Sequence, residues 1–522
     1  MFSRAAALLA ALLVVVWLGP AALLLGGLLA VPRVRDWLRP ADARRTAAAV
    51  AVGSLVATAL VIVAPDGWLP VPQGPGRLVT PAYVGRPAIV RPVADGVLPP
   101  HPHLAEAASG HPGPIGDQPS VDTGWYGRER CRGLAVDARG RLVGWCGEPD
   151  APVLRVVDPE SLNPLASREL GPGVAGLTEE RAALCDASFL LDERDRAVVG
   201  TGRSLVVVDT ADGDGEPDLT VAATHDLSSV LEAGDCVAGV VPDWSGRLWF
   251  ASVAGVVGLV EPASGRVRVT DLGEAIANGL VADEQGGVYA VTEGAAYKLL
   301  PDASGDPVVL WRTQYDAGSE QKPGQLARGS GTTPAVLPNG TVALVDNAEP
   351  QPHVVFLSRT SGEPVCSAAV FDEDGGAVEG SLAVVADDAV VVANHHGSAG
   401  WAGSGLGFTP QAGLARVEVD VSAGECRVRW TNEDVVAPGT IPAVSLPKGL
   451  VYIATKRPSA WGVSAWYLTT VDVHTGRHVF SVRTGTGPAM DHRRSGVTLA
   501  PSGAAYVAAA TGLVRVADKV RA

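Results

Sequence analysis

The sequence predicts an all-β protein, an eight-bladed β-propeller of four-stranded blades over residues 127–522, preceded by two N-terminal transmembrane helices. Three observations carry that expectation. A strand-turn-strand pattern returns about every forty residues after Arg130. Glycine occurs 62 times in 522 residues and only 19% are charged, which suits short strands joined by tight turns. Two apolar runs flank an arginine-rich link near the N-terminus.

Ala5 to Val31 is almost wholly apolar, and Thr46 to Ala64 is a second such run. Each reaches or approaches the roughly 20 residues that cross a bilayer as helix, about 5–31 and 46–64. Between them, in a cytoplasmic loop 32–45, stand Arg33, Arg35, Arg39, Arg44 and Arg45. The positive-inside rule then puts the N-terminus and everything after Ala64 outside the cell membrane. A cleaved signal peptide is the rival reading, but the first run is too long and no small-x-small site follows it. Residues 65–126 are proline-rich without an apolar period, and read as an extracytoplasmic spacer that holds the next domain off the membrane or drapes over it. A net charge of −15, with no basic run outside the first fifty residues, argues against nucleic acid as a partner.

The repeats open with segments such as "CRGLAVDARGRLVGWCG", "CVAGVVPDWSGRLWFAS" and "IANGLVADEQGGVYAVTEG". Asp-Gly, Asn-Gly and Ser-Gly turns between short apolar strands are the mark of propeller blades, and eight units can be counted. The last, ending near Ala517, has room for three strands at most. A strand from about Val121 to Arg130 is expected to complete it and remove the open sheet edges.

All six cysteines follow the second apolar run, an even number on the side where disulfides persist. Six allow about 15 connectivities, and the blades select among them. Cys131 and Cys146 are equidistant from the turn at Ala138-Arg139, Cys185 and Cys236 precede the inner strands of blades two and three, and Cys366 and Cys426 hold equivalent outer-strand positions of blades five and six. Three local disulfides are the economical reading.

Strands alternate direction within a blade, so residues that open an inner strand and residues that leave a second strand share one face of the disc. The opening positions are Glu129, Asp186, Asp235, Asn278, Thr332 and Glu379; the leaving positions include Asp346, Asn347, Asn394, His395 and Lys456. Asn278, Asp346, Asn347 and Glu379 are oxygen ligands of the kind calcium takes, though polar residues at loop starts also serve as turn caps. Glu129, Asp186, Asp235, Thr332, Asn394 and His395 are the candidate ligand contacts. The long connection Tyr315 to Pro334 adds Lys322, Gln325 and Arg328, which suit an anionic ligand or simply a surface loop. "DTADGDGEPDL" at Asp209 to Leu219 reads as an acidic turn between outer strands.

The line "IANGLVADEQGGVYAVT" resembles the calcium-bearing blade of gluconolactonase- and paraoxonase-like propellers. That resemblance implies Asn278 on a catalytic calcium, joined by Asp346 and Asn347. "DVHTGRHVF" and "VEPASGRVRV" resemble blade endings of quinoprotein dehydrogenase-like propellers, which have eight blades. The adjacent-cysteine pair beside the quinone in many of those enzymes is absent, so pyrroloquinoline quinone is not expected. Three functions follow, in order. The first is a membrane-anchored propeller whose central funnel binds a small ligand or an envelope protein. The second is a calcium-dependent lactonase- or esterase-like hydrolase, and the third a quinone-dependent oxidoreductase.

Overall fold

The computed structural model describes residues 64–93, 99–105, 110–148, 151–171, 183–185, 188–213, 215–398, 408–457 and 464–519, with 31–33, 36, 48, 50–54 and 56 before them. Among these no helix is long and apolar enough to cross a membrane. The two expected membrane helices lie almost wholly outside the described residues.

Eight antiparallel four-stranded sheets form the expected propeller. Blade 1 comprises Gly133–Val136, Leu142–Glu148, Ala151–Val157 and Pro164–Glu169. From inner to outer strand, blade 2 runs from Phe189–Leu191 to Val221–Asp226, blade 3 from Val237–Pro242 to Arg266–Asp271, and blade 4 from Val281–Ala282 to Pro307–Gln314. Blade 5 runs from Ala335–Val336 to Pro364–Ala369, blade 6 from Ala383–Val385 to Glu425–Asn432, and blade 7 from Ala443–Ser445 to His478–Thr486. Blade 8 comprises Val497–Leu499, Ala505–Ala509 and Gly512–Asp518, completed by Pro119–Trp125 from before blade 1. The completing strand is therefore present, a few residues earlier than expected. Each blade's inner strand packs on the next, and that of blade 8 packs on that of blade 1, so the ring closes.

Stacking explains the sequence pattern. A second strand is covered on both faces by neighbouring blades, so it reads as a continuous apolar run, as in the wholly buried "LWFAS" of Leu248–Ser252. Outer strands have one wet face and alternate, as in "RVRVTD" of Arg266–Asp271. The core accordingly lies between blades, with Trp145, Leu154, Val199 and Val208 joining blades 1 and 2 and Trp249, Leu259, Val288 and Tyr297 joining blades 3 and 4.

The turn between first and second strands is built the same way in four blades. In blade 1 Asp137 Oδ1 accepts from the Arg139 and Arg141 amides at 3.0 and 2.8 Å, and Oδ2 from Arg141 Nε at 2.7 Å. Asp192 with Arg196 and Asp243 with Arg247 repeat it, and Asp243 also accepts from Trp249 Nε1 at 3.0 Å. In blade 4 Gly287 stands where the arginine would be, and Lys298 Nζ and the Tyr289 hydroxyl take over at Asp283, at 2.9 and 2.6 Å. The fourth turn position needs a left-handed backbone. Gly140 supplies it at φ 82° and Asp195, a residue that tolerates this region, at φ 59°.

The proline-rich segment is docked on the propeller. Val71 is fully buried between blades 7 and 8, and Tyr83–Gly85 adds a fifth strand to blade 7. The chain then reaches the face that carries the inner-hairpin turns. It meets blade 7 through the Val93 amide on Leu446 O, blades 2 and 3 through the Ala105 amide on Leu191 O and the His101 ring on Trp244, and blade 7 again through Ser445 Oγ on His111 O. Blades 7 and 3 are opposite in the ring, so this arm crosses the disc. The three expected disulfides, Cys131–Cys146, Cys185–Cys236 and Cys366–Cys426, are all present.

The turn carboxylates differ sharply in burial, which gives a direct test. Asp243 is fully buried with four donors, whereas Asp302 caps an exposed turn through two amides. Asp243→Ala should cost about 3 kcal/mol, because it strands a buried indole donor and a half-buried guanidinium. Asp302→Ala should cost about 1 kcal/mol. Denaturation of the two purified variants checks the ranking, and equal losses would remove the argument.

Candidate functional site

The eight inner strands surround a central funnel of about 980 Å³, lined by residues that open inner strands or leave second strands. Its walls differ in character. Arg128, Arg130, Arg132, Arg493 and Arg494 line it where the chain enters blades 8 and 1. Ala238, Val240, Ala277, Leu280 and Leu326 line it from blades 3 and 4 and the connection to blade 5. Blade 8 faces blade 4 across an eight-membered ring, so the cationic wall looks at a mostly apolar one that also carries Asn278 and Thr333.

The arginines are held in place. Arg130 Nη1 donates to Arg493 O at 2.7 Å, and its other terminal nitrogen lies 4.0 Å from Asp491. Asp491, 1% exposed, accepts from Arg493 Nε at 2.7 Å. Burial draws Arg130 below its ordinary value, with Asp491 opposing. Asp491 thus orients two guanidinium groups. The sequence reading had found no basic run after residue fifty, and here it is corrected. The signal was present in "GRERCRG" and "DHRRSG". Alternation along extended chain puts Arg128, Arg130 and Arg132 on one side, toward the funnel, and Glu129 on the other.

Glu129 accordingly turns outward, its Oε2 accepting from Arg155 Nη2 at 2.5 Å, in a cluster with Asp66. The other expected contacts are distributed as follows. Asp186 lies outside the described residues. Asp235 Oδ1 caps its own hairpin through the Cys236 and Ala254 amides. Thr332 is fully buried and braces the Val345 amide, while its neighbour Thr333 lines the funnel. Arg328 is exposed and lies 3.9 Å from Glu293, and Lys322 Nζ donates to Ala348 O. Neither lines the funnel. Asn394 donates to Gly375 O and Ala412 O and accepts from the Ala377 and His396 amides.

His395, expected in an exposed loop, is 2% exposed. Its Nδ1 accepts from the Glu379 amide at 2.9 Å, so Nε2 carries the proton and donates to Thr440 O. Burial pushes it down to about 4. It is a neutral brace behind the funnel wall. Glu379 itself lines the funnel, and its Oε2 accepts from the Leu326 amide at 3.0 Å. Burial pushes this carboxyl up to about 8, with that amide and Arg494 opposing. At neutral pH it is mostly uncharged.

The four residues expected as calcium ligands are distributed between the funnel and its surroundings. Asn278 and Glu379 line the funnel, and Asp346 and Asn347 do not. Asp346 is buried rather than solvent-facing; Oδ1 accepts from the His353 amide at 2.6 Å, and Oδ2 lies 3.1 Å from its ring. Asn347 Nδ2 ties down the long connection through Ala317 O and Glu320 O, while its Oδ1 is buried without a hydrogen bond among the described residues. Asn278 donates to Ser330 O. Among the described residues no three His, Cys, Asp or Glu side chains are grouped to hold a metal. The acidic turn of the second blade is also engaged, Asp212 pairing with Arg139 and Arg141.

No protein-family model matches the chain. A protein of Archaeoglobus fulgidus described as uncharacterized is 26% identical over 323 residues, 55% of this chain and 62% of its own length. The chain therefore spans less than two thirds of that relative. Solved structures that resemble it include a virginiamycin B lyase from Staphylococcus aureus with quinupristin, at TM-score 0.42 and 7% identity, covering 77% of this chain and 99% of that one. BamB from Moraxella catarrhalis follows at TM-score 0.35 and 15% identity, covering 63% and 98%. Likeness at this level carries no argument about ligand or activity.

Two outcomes are expected. Asp346→Ala should destabilise the protein by about 2 kcal/mol with calcium chelated, since buried amide donors lose their acceptor. Thermal melts in chelator and in added calcium check this; a loss seen only with calcium would restore the metal reading. Glu379 keeps in the folded state a proton that the unfolded chain releases near its ordinary value of 4.5, up to about pH 8. Its contribution to stability therefore falls as pH rises through that window. Denaturation from pH 5 to 8 should show Glu379→Gln gaining about 2 kcal/mol on the wild type toward the alkaline end. A pH-independent difference would mean that Glu379 is ionised throughout.

Proposed function

We propose that this is a membrane-anchored, extracytoplasmic binding propeller whose funnel takes a small anionic ligand. The carrying observation is the convergence of Arg128, Arg130, Arg132, Arg493 and Arg494 on one wall of a funnel, in a chain of net charge −15. Guanidinium groups present paired donors matched to carboxylate and phosphate oxygens. The volume of about 980 Å³ is at the upper end for small-molecule sites. The three disulfides suggest an oxidising, extracytoplasmic setting, and the two apolar runs with their arginine-rich link support the anchor.

Full-length protein in non-ionic detergent should bind inorganic phosphate or acetate by calorimetry at low salt, more weakly as salt rises. Replacing Arg132 and Arg494 together by glutamine should weaken binding about tenfold or more, the scale of one or two charge-assisted hydrogen bonds. Absence of binding, or binding indifferent to both substitutions, sinks the anion reading. Protease added to spheroplasts should digest the propeller, and its protection would reverse the topology.

A further inference from the structure

Resting on that reading, we propose that the ligand is an amphiphile, with its anionic head on the arginines of blades 8 and 1 and a compact apolar body on the wall of blades 3 and 4. The two walls belong to one cavity and face each other across the ring. Val240, Ala277 and Leu326 are only partly buried by the protein, so they have apolar surface left to cover. A small inorganic anion would meet the guanidinium groups alone and leave that surface and most of the volume to water. A wholly apolar molecule would desolvate the arginines without replacing their hydrogen bonds, which is strongly unfavourable. A ligand with both parts satisfies both walls.

The wall residues come from closely packed segments with little freedom to rearrange. A Cβ on Gly239 would lie 2.9 Å from Gly279 Cα, so the inner strands of blades 3 and 4 touch through backbone at the apolar wall. Leu326 is tied to a neighbouring part of the rim, its amide donating to Glu379 at the entry to blade 6. The apolar surface is therefore an ordered feature of the funnel.

The test compares three probes on the full-length chain held in amphipol, with protein-free amphipol as blank: acetate, 2-naphthoate and 2-naphthalenemethanol. Naphthoate should bind at least about tenfold more tightly than acetate, because it adds burial of apolar area to the same head group. The alcohol should bind at least about tenfold more weakly than naphthoate. Val240→Thr and Leu326→Gln should each reduce the advantage of naphthoate over acetate, while Arg494→Gln should weaken both anions. Two wall variants on separate segments keep the test open should one fail to fold. Equal affinities for naphthoate and acetate overturn the amphiphile and leave the anion reading standing. Equal affinities for naphthoate and the alcohol, or no binding by either anion, overturn both.

Discussion

The strand Pro119–Trp125, paired along its whole length with Gly512–Asp518, is the interaction on which the remaining architecture depends. A row of stacked blades buries each sheet between two neighbours except at its ends. Closing the row removes both ends at once, and the backbone hydrogen bonds of one strand hold the closure. The same strand leads within a few residues into Arg128, Arg130 and Arg132. Because blade 8 is made from both ends of the chain, closure sets these residues beside Arg493 and Arg494, more than three hundred and fifty positions later. Ring closure and the cationic wall are one event.

That coupling explains why architecture was legible in the sequence and the site was not. Blade number, the completing strand and the three cysteine pairs follow from a local repeat and the spacing it imposes. The funnel depends on which side chains face inward from eight separate segments. Glu129 held the right position but the wrong phase, and the arginines on either side of it were the inward residues. Asp346 and His395 stand at loop starts, where side chains are usually exposed. Here a folded connection and neighbouring blades cover them, and each is satisfied by backbone amides and carbonyls. The proline-rich segment has no period of its own, so only the propeller surface reveals its course.

The repeated turn shows how the fold tolerates burial of charge. Asp137, Asp192 and Asp243 each enter a nearly dry site, and each meets two backbone amides and the arginine four residues on. The partner is local, so these ion pairs need no long-range coordination to form. Where blade 4 lacks that arginine, Lys298 and Arg359 reach Asp283 from the third strand and from the next blade. The charge requirement survives the loss of the motif, which is a stronger statement about the physics of the site than repetition alone.

The funnel follows the opposite rule. It gathers five arginines in one concavity, where Asp491 is shared between Arg130 and Arg493, and gathering like charges costs the fold some self-repulsion. Low-dielectric walls concentrate its field toward the mouth and strengthen any contact made inside. The turn aspartates show that this chain neutralises buried charge wherever structure alone requires it. Under the proposed anion reading, the five arginines gathered where eight strands converge are a surface complementary to an incoming anion.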